Sequence, residues 1–305
     1  MLNRNEKTLA RILFQKKIHE SEGQAFEDLF TKIMNHAEPD FIQIKPWSNT
    51  GDRKNDGYIK SKGIYFQVYA PEDIRKKYSE VIAKLKTDFS GLLKQWNQST
   101  PIKEFYFVVN DKYKGVSPDA ELAIRDIVKN NNLSNGDFKT AKDLENLLFN
   151  LSDDQIQAIV GYIPNPTDIH NINYSILNEV ILYIMQLPIP QGNIEVSSVP
   201  DWNAKIKFND LCDETKSFLE QGYIQVQDLE KYLSSNGDFL ATELCKKMIE
   251  IYSEEKRNFC GDVLFWKIVE KISPKNEKTY MTFAIMIMAK YFESCDIFEK
   301  PIEDK

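Results

Sequence analysis

Two stretches decide the fold of this chain: GDRKNDGY at residues 51–58 and YFQVY at residues 65–69. The first is rich in residues that tolerate turn geometry, and it leads into a strand that begins at Asp56. A tight turn at residues 60–63 then connects to a strand from Ile64 to Tyr69, which is rich in aromatic and β-branched residues. The pairing predicts that Asp56 and Gln67 lie beside each other on neighbouring strands.

The sequence on both sides of these strands predicts a mixed α/β domain at residues 1–164. Phe26, Leu29, Phe30 and Ile33 follow the i, i+3, i+4, i+7 spacing of an amphipathic helix. Further predicted elements are a strand at 41–47, a helix at 74–96, a buried strand at 104–110 and a helix at 118–130. The order is helix, three strands, helix, strand, helix.

A second domain is predicted at residues 165–305. A linker at about 186–201 contains three prolines, Gly192 and two adjacent serines. Beyond it the spacing of apolar residues indicates only helices, at 211–221, 226–234, 239–253, 261–272 and 279–297. The second domain is therefore expected to be all-helical.

Composition excludes several classes of protein. No apolar run reaches the roughly 18 residues that a membrane span needs, and the charges within Met1–Gln15 do not fit a signal peptide. A cytoplasmic location with no membrane contact is expected. The 4 cysteines show no C-x-x-C spacing and there are only 3 histidines, so neither a zinc site nor a disulfide framework is expected.

Charge is shared unevenly between the two halves. Residues 1–164 hold 24 Lys/Arg and 23 Asp/Glu, whereas residues 165–305 hold 15 and 23. Residues 45–94 hold 11 basic and 6 acidic residues. If DNA binds, that local excess is where its phosphates would be neutralised. Solvated surface lysines are the alternative explanation.

Three side chains can converge on one site. Glu27 lies on the flank of the apolar stripe of the first helix, about 100° from its centre, and it can be half-buried at a cleft. Asp56, the Gln67 side-chain oxygen and the Val68 carbonyl supply the oxygen ligands that Mg²⁺ prefers, with Mn²⁺ as an alternative. A turn-capping role is the alternative for Asp56, since Asn-Asp-Gly is common turn chemistry.

The order helix Glu, G-x-D and Q-x-K resembles the restriction-endonuclease-like PD-(D/E)XK superfamily in its Mrr-type variant. Glu27, Asp56 and Gln67 match this pattern, whereas Tyr69 occupies the position of the superfamily's lysine. The resemblance implies a nuclease core of the form α-βββ-α-β. It also implies Mg²⁺-dependent hydrolysis of DNA phosphodiester bonds, with metal ligands at Glu27, Asp56, Gln67 and Val68.

The residues AKLKTDF at 83–89 resemble the lysine-bearing helix in nucleases of ABC-three-component and Lamassu-type antiphage systems. That resemblance favours Lys84 as the substitute for the missing lysine. Helix geometry favours Lys86, which lies about 70° from the apolar centre where Lys84 lies about 130° away. A surface ion pair between Lys84 and Asp88 at i, i+4 is the alternative for Lys84.

The C-terminal half resembles the helical C-terminal domain of ABC-three-component effectors at KIKFN (205–209) and CDIFEKP (295–301). This implies partner proteins, namely an SMC-like or ABC-type ATPase and a small middle subunit. Self-association is the alternative role for these helices.

Two other interpretations stay open. Pro39-Asp40 with Asp52-Arg53-Lys54 spells PD and D-x-K, but the second triplet lies in turn-forming sequence, where a catalytic strand is not expected. Tyr69 at the lysine position motivates the rival hypothesis of an inactive nuclease fold that serves as a DNA-binding or scaffold subunit.

Overall fold

A computed structural model describes residues 2–45, 54–72, 78–161, 163, 174–187, 202–235, 238–294 and 296–301. The strands are β1 Phe41–Gln43, β2 Gly57–Ile59, β3 Ile64–Tyr69, β4 Glu104–Val109 and β5 Asn135–Lys139. The helices are α1 Arg4–Glu20, α2 Gly23–Ala37, α3 Tyr78–Trp96, α4 Pro118–Asn130, α5 Ala141–Leu148, α6 Asp153–Val160, α7 Tyr174–Gln186, α8 Trp202–Phe208, α9 Asp213–Ile224, α10 Val226–Ser235, α11 Asp238–Glu255, α12 Gly261–Ile272 and α13 Lys278–Glu293.

The chain divides into two compact units. One is Lys17–Gly161 and contains the sheet, and the other combines Met1–Lys16 with Tyr162–Lys305 and is helical. The predicted boundary between 164 and 165 stays a prediction, and the predicted linker lies outside the described residues from 188 to 201.

The first unit, Lys17–Gly161, is built on a five-stranded mixed sheet in the order β1-β2-β3-β4-β5. The first three strands are antiparallel, with Gly57 opposite Phe66. Strands β3, β4 and β5 are parallel, with Gln67 opposite Phe107. Strands β1 and β5 are the outer strands of the described sheet.

Alternation along β3 gives the sheet two different faces. On one face Phe66 lies 5.6 Å from Phe30 of α2 and 5.9 Å from Phe41, measured between ring centroids. The other face packs on α3 and α4 through a shared set of buried apolar residues, which includes Tyr65, Leu85, Phe89, Phe105, Phe107 and Ile124. Gln67 and Tyr69 share the face of Tyr65, so they point toward α3.

The prediction of a mixed α/β chain is confirmed, and the order α2, β1 to β3, α3, β4, α4 agrees with the predicted order. The more specific restriction-endonuclease-like fold stays a prediction. Strand β5 and helices α1 and α5 to α8 were not predicted. No described helix combines the length and the apolar composition that crossing a bilayer requires.

Helix α13 forms the centre of the second unit. It contacts α7, α9, α10 and α12, and most of its side chains are buried. Helix α9 approaches α13 closely at Gly222, where a Cβ would lie 3.0 Å from the Ile285 carbonyl oxygen. The predicted extension of α13 to Ile297 is wrong, since the helix ends at Glu293 and the N–H of Ile297 turns back to the carbonyl of Tyr291.

A buried lysine joins the two C-terminal segments that the sequence singled out. Lys205 is 1% exposed, and its Nζ donates to the carbonyl oxygens of Phe292 and Ile297, both at 2.7 Å. The same ammonium lies 4.4 Å from the centroid of the Phe292 ring. Asn209 donates to the Glu299 carbonyl at 2.8 Å and accepts from the Glu299 N–H at 2.9 Å. The KIKFN segment therefore fixes the chain that follows α13.

Replacing this lysine tests the role of the buried charge. Lys205→Met should lower the free energy of unfolding by about 1–3 kcal/mol, since the buried Ile297 carbonyl loses its donor, while the Phe292 carbonyl keeps the Ser294 N–H. Lys207→Met, at an exposed position on the same helix, should change it by less than about 0.5 kcal/mol. Urea unfolding of the full chain measures both values. Equal losses for the two variants would contradict the stabilising role of the buried Lys205 ammonium.

Candidate active site

Asp56 lies where β2 begins, and its backbone is held from both sides. Its N–H donates to the Phe66 carbonyl at 3.1 Å, and its carbonyl accepts from the Ile44 N–H at 3.1 Å. The preceding Asn55 is fully buried, and its Oδ1 accepts from the Gly57 N–H at 3.1 Å. The Asn-Asp-Gly turn is therefore fixed against the neighbouring chain on either side.

The carboxylate of Asp56 is buried and hydrogen-bonded. It is 5% exposed, and Oδ2 accepts from Gln67 Nε2 at 2.7 Å and from the Val68 N–H at 2.6 Å. Both donors belong to β3, so the predicted meeting of Asp56 and Gln67 is present in the structure. In an extended strand the N–H and C=O of one residue point to the same side. Because the Val68 N–H donates to Asp56, the Val68 carbonyl also points to the side of β3 on which this carboxylate lies.

Two residues next to Asp56, one along the chain and one on β3, each have a buried polar atom without a partner in the described residues. Gln67 Oε1 and Asn55 Nδ2 have no hydrogen-bond partner within the part of the chain that the structure describes. A carboxylate accepts only, so Gln67 must turn its NH₂ group to Asp56 and its oxygen away. An unpaired buried polar atom costs about 1–3 kcal/mol. Gln67 Oε1 therefore suits a donor or a cation, whereas Asn55 Nδ2 suits an acceptor such as a water.

Glu27 lies on α2 beside the chain that leads into the site. Its side chain is 18% exposed, and Oε1 accepts from Lys45 Nζ at 2.7 Å. Lys45 follows Ile44, and the Ile44 N–H donates to the Asp56 carbonyl. The ion pair therefore ties Glu27 to the chain segment that is hydrogen-bonded to Asp56. Burial lowers the pKa of Lys45, but hydrogen bonds to Glu27 and Asp28 outweigh it and raise the pKa overall.

The neighbouring acid Asp28 also binds Lys45, with 3.0 Å between Oδ1 and Nζ. Hydrogen bonds from Gln24 and then from Lys45 lower its pKa. Within the described residues no group of three or more His, Cys, Asp and Glu side chains is arranged to hold a metal ion.

Lys84 of α3 lies over Tyr69, the residue at the position where the resemblance predicted a lysine. Its Nζ lies 5.4 Å from the centroid of the Tyr69 ring, and its side chain is 32% exposed. Tyr69 follows Gln67 on the same face of β3. Lys86 is on the exposed side of α3. Of the two candidate lysines, Lys84 is therefore the one that contacts the site strand.

The ion pair between Lys84 and Asp88 that the sequence offered as an alternative is present, but Asp88 is buried and not at the surface. Sequence reasoning missed Lys54 as its second partner. Asp88 is 1% exposed, and its two oxygens bind Lys84 Nζ at 2.5 Å and Lys54 Nζ at 2.9 Å. A signal existed, because Asp88 falls within the apolar stripe of α3, three residues after the buried Leu85. Lys54 belongs to the D-x-K alternative, whose other two residues, Asp52 and Arg53, lie outside the described residues.

A comparison with known families places the C-terminal region. Residues 175–299 match the model of C-terminal domain 10 of the ABC-three component (ABC-3C) systems. The predicted resemblance of the C-terminal half to a domain of these systems is thereby confirmed. Searches of curated proteins and of solved structures found no match.

The turn at the site leaves no room for a side chain at Gly57. A Cβ there would lie 2.3 Å from Cζ of Phe41, so Gly57→Ala should lower the free energy of unfolding by about 1–3 kcal/mol through overpacking. Phe41→Leu removes the clashing ring atoms, and the double variant should lose less than the sum of the two single losses. Denaturant unfolding of all three variants measures this coupling, and strict additivity would refute the steric explanation.

Proposed function

We propose that this protein is a metal-dependent DNA endonuclease that acts as the effector of an ABC-three-component antiphage assembly. The observation that carries the proposal is the buried pair of Asp56 and Gln67, in which a carboxylate lies next to an amide whose oxygen has no partner in the described residues. The lysine over Tyr69 adds the cation that such chemistry needs. The family match at residues 175–299 supports the assembly.

The donor set fits a hard divalent cation. Asp56 offers a carboxylate, and strand geometry directs the Val68 carbonyl to its side of β3. Gln67 would offer Oε1 to the same ion once its amide turns over, because Nε2 now donates to Asp56. Oxygen ligands of this kind suit Mg²⁺, with Mn²⁺ as the alternative. Glu27 would orient a second metal ion or a water. Bound Mg²⁺ would polarise a phosphoryl oxygen and lower the pKa of a bound water.

The side chains of this chain have separate roles in the proposed reaction. Asp56, just before β2, and Gln67, on β3, would hold the metal ion, and backbone hydrogen bonds fix the register of these two segments. The ammonium of Lys84 stabilises the negative charge that develops on the attacked phosphate. Lys86 is the alternative residue for that role.

The rival function is an inactive nuclease fold that binds DNA or serves as a scaffold. Tyr69 supports this rival because an aromatic ring stands where the superfamily has its lysine.

Under either function the basic segment 45–94 is the proposed DNA contact, because the remainder of the chain carries excess acidic charge.

The helical C-terminal region is proposed to bind partner proteins rather than DNA. Residues 165–305 hold 23 acidic and 15 basic residues, which repel phosphate. The partners implied by the resemblance are an SMC-like or ABC-type ATPase and a small middle subunit, and self-association is the alternative.

The ligand role of Asp56 can be tested by substitution. Asp56→Ala should abolish Mg²⁺-dependent cleavage of plasmid DNA and weaken Mn²⁺ binding measured by calorimetry, because the only anionic ligand on the two site strands is lost. Asp40→Ala, at an exposed position of the alternative register, should retain cleavage. The proposal fails if purified wild-type protein never cleaves DNA with Mg²⁺ or Mn²⁺, also when freed of any inhibitory partner, and the scaffold function then takes its place.

The two lysines of α3 form a matched pair for a second test. Lys84→Ala should lower turnover by about 10²–10³, the scale of losing one charge stabiliser, while metal binding persists because the oxygen ligands remain. Lys86→Ala should retain nearly full turnover. Rates of plasmid nicking at saturating metal measure both effects. Full activity in both variants would remove the substituted lysine from the mechanism.

A further inference from the structure

Asp88 is a buried carboxylate with an ammonium on each of its oxygens. It is 1% exposed, and Oδ2 is 2.5 Å from Lys84 Nζ while Oδ1 is 2.9 Å from Lys54 Nζ. The two lysines come from different parts of the chain, one from α3 and one from the residues just before Asp56. A fully buried carboxylate is therefore the common partner of both cations.

The shared carboxylate positions the ammonium groups of Lys54 and Lys84. The lysine side chains are 32% and 44% exposed, so water can reach them. Two ammonium groups repel each other, and the negative charge of the carboxylate between them offsets that repulsion. Asp88 therefore holds Lys84 next to the face of β3 that carries Tyr69, and it holds Lys54 against α3.

The segment before Asp56 is also docked on α3 by packing. A Cβ at Gly91 would lie 2.8 Å from Cγ of Lys54, so the lysine stem lies directly on this glycine. Lys54 has a φ of 63°, in the left-handed region that non-glycine residues seldom adopt. Gly91 follows Asp88 by three residues, which places both on one side of the helix.

We propose that Asp88 is a positioning residue, which holds Lys84 over Tyr69 and fixes Lys54 beside the entry to Asp56. This inference rests on the proposed nuclease function. It implies that the charge of the missing strand lysine is supplied by Lys84, while Lys54 fixes the chain that enters Asp56. Asp88 itself touches no reacting atom and acts through Lys84.

The kinetic test compares Asp88→Asn, Lys84→Ala and the double variant in the full-length protein. Asp88→Asn should lower kcat for DNA cleavage by about 10–100-fold with KM changed less than about threefold, because charge placement and not DNA binding is lost. The double variant should be no slower than Lys84→Ala within about twofold. Glu80→Gln, which alters an exposed acid on the same helix, serves as the control. Additive losses, or wild-type kcat in Asp88→Asn, would overturn the inference.

A second measurement does not depend on cleavage. The ¹⁵Nζ signal of Lys84, assigned by its loss in Lys84→Arg, should shift or broaden in Asp88→Asn and stay unchanged in Glu80→Gln. An unchanged signal in Asp88→Asn overturns the positioning role even if the wild type cleaves DNA. If the wild type does not cleave, the proposed function fails, and the NMR signal alone decides whether Asp88 positions Lys84.

Discussion

A carboxylate can be buried beside a β-sheet only where donors reach it, and Asp56 obtains its donors from β3. Its bonds to Gln67 and the Val68 N–H require β3 to lie at a fixed register against the turn before β2. The same bonds fix the direction of the Gln67 amide and leave its oxygen without a partner in the described residues. The candidate site is therefore a consequence of satisfying one buried charge.

The elements that the sequence predicted well are those whose pattern is determined by local burial. Strand β3 begins and ends as predicted because its aromatic and β-branched residues pack on both faces of a central strand. Strand β5 was missed because Asn135-Gly136-Asp137 is typical of a turn, and only parallel pairing with β4 makes it a strand. Tertiary context also decided the end of α13, where Lys205 binds the following backbone.

The candidate site likewise combines features that the local sequence predicted with features that depend on tertiary contacts. Asp56 and Gln67 were predicted to meet from their spacing around a tight turn, and they do. The helix wheel favoured Lys86 because it treats each side chain as a radial direction. The structure has Lys84 over Tyr69 instead, since a long side chain can bend toward a buried anion such as Asp88. No pattern of single positions contains that information.

The two outer strands of the sheet have little capacity to recruit another chain. Strand β1 has three residues, too few for an extended ladder of hydrogen bonds. Strand β5 carries Asp137 and Lys139, and charges on an outer strand oppose the pairing of β-edges between molecules. Within the described sheet, pairing of edges between molecules is therefore disfavoured, and fibrillar assembly by strand addition at β1 or β5 is opposed by the edges themselves.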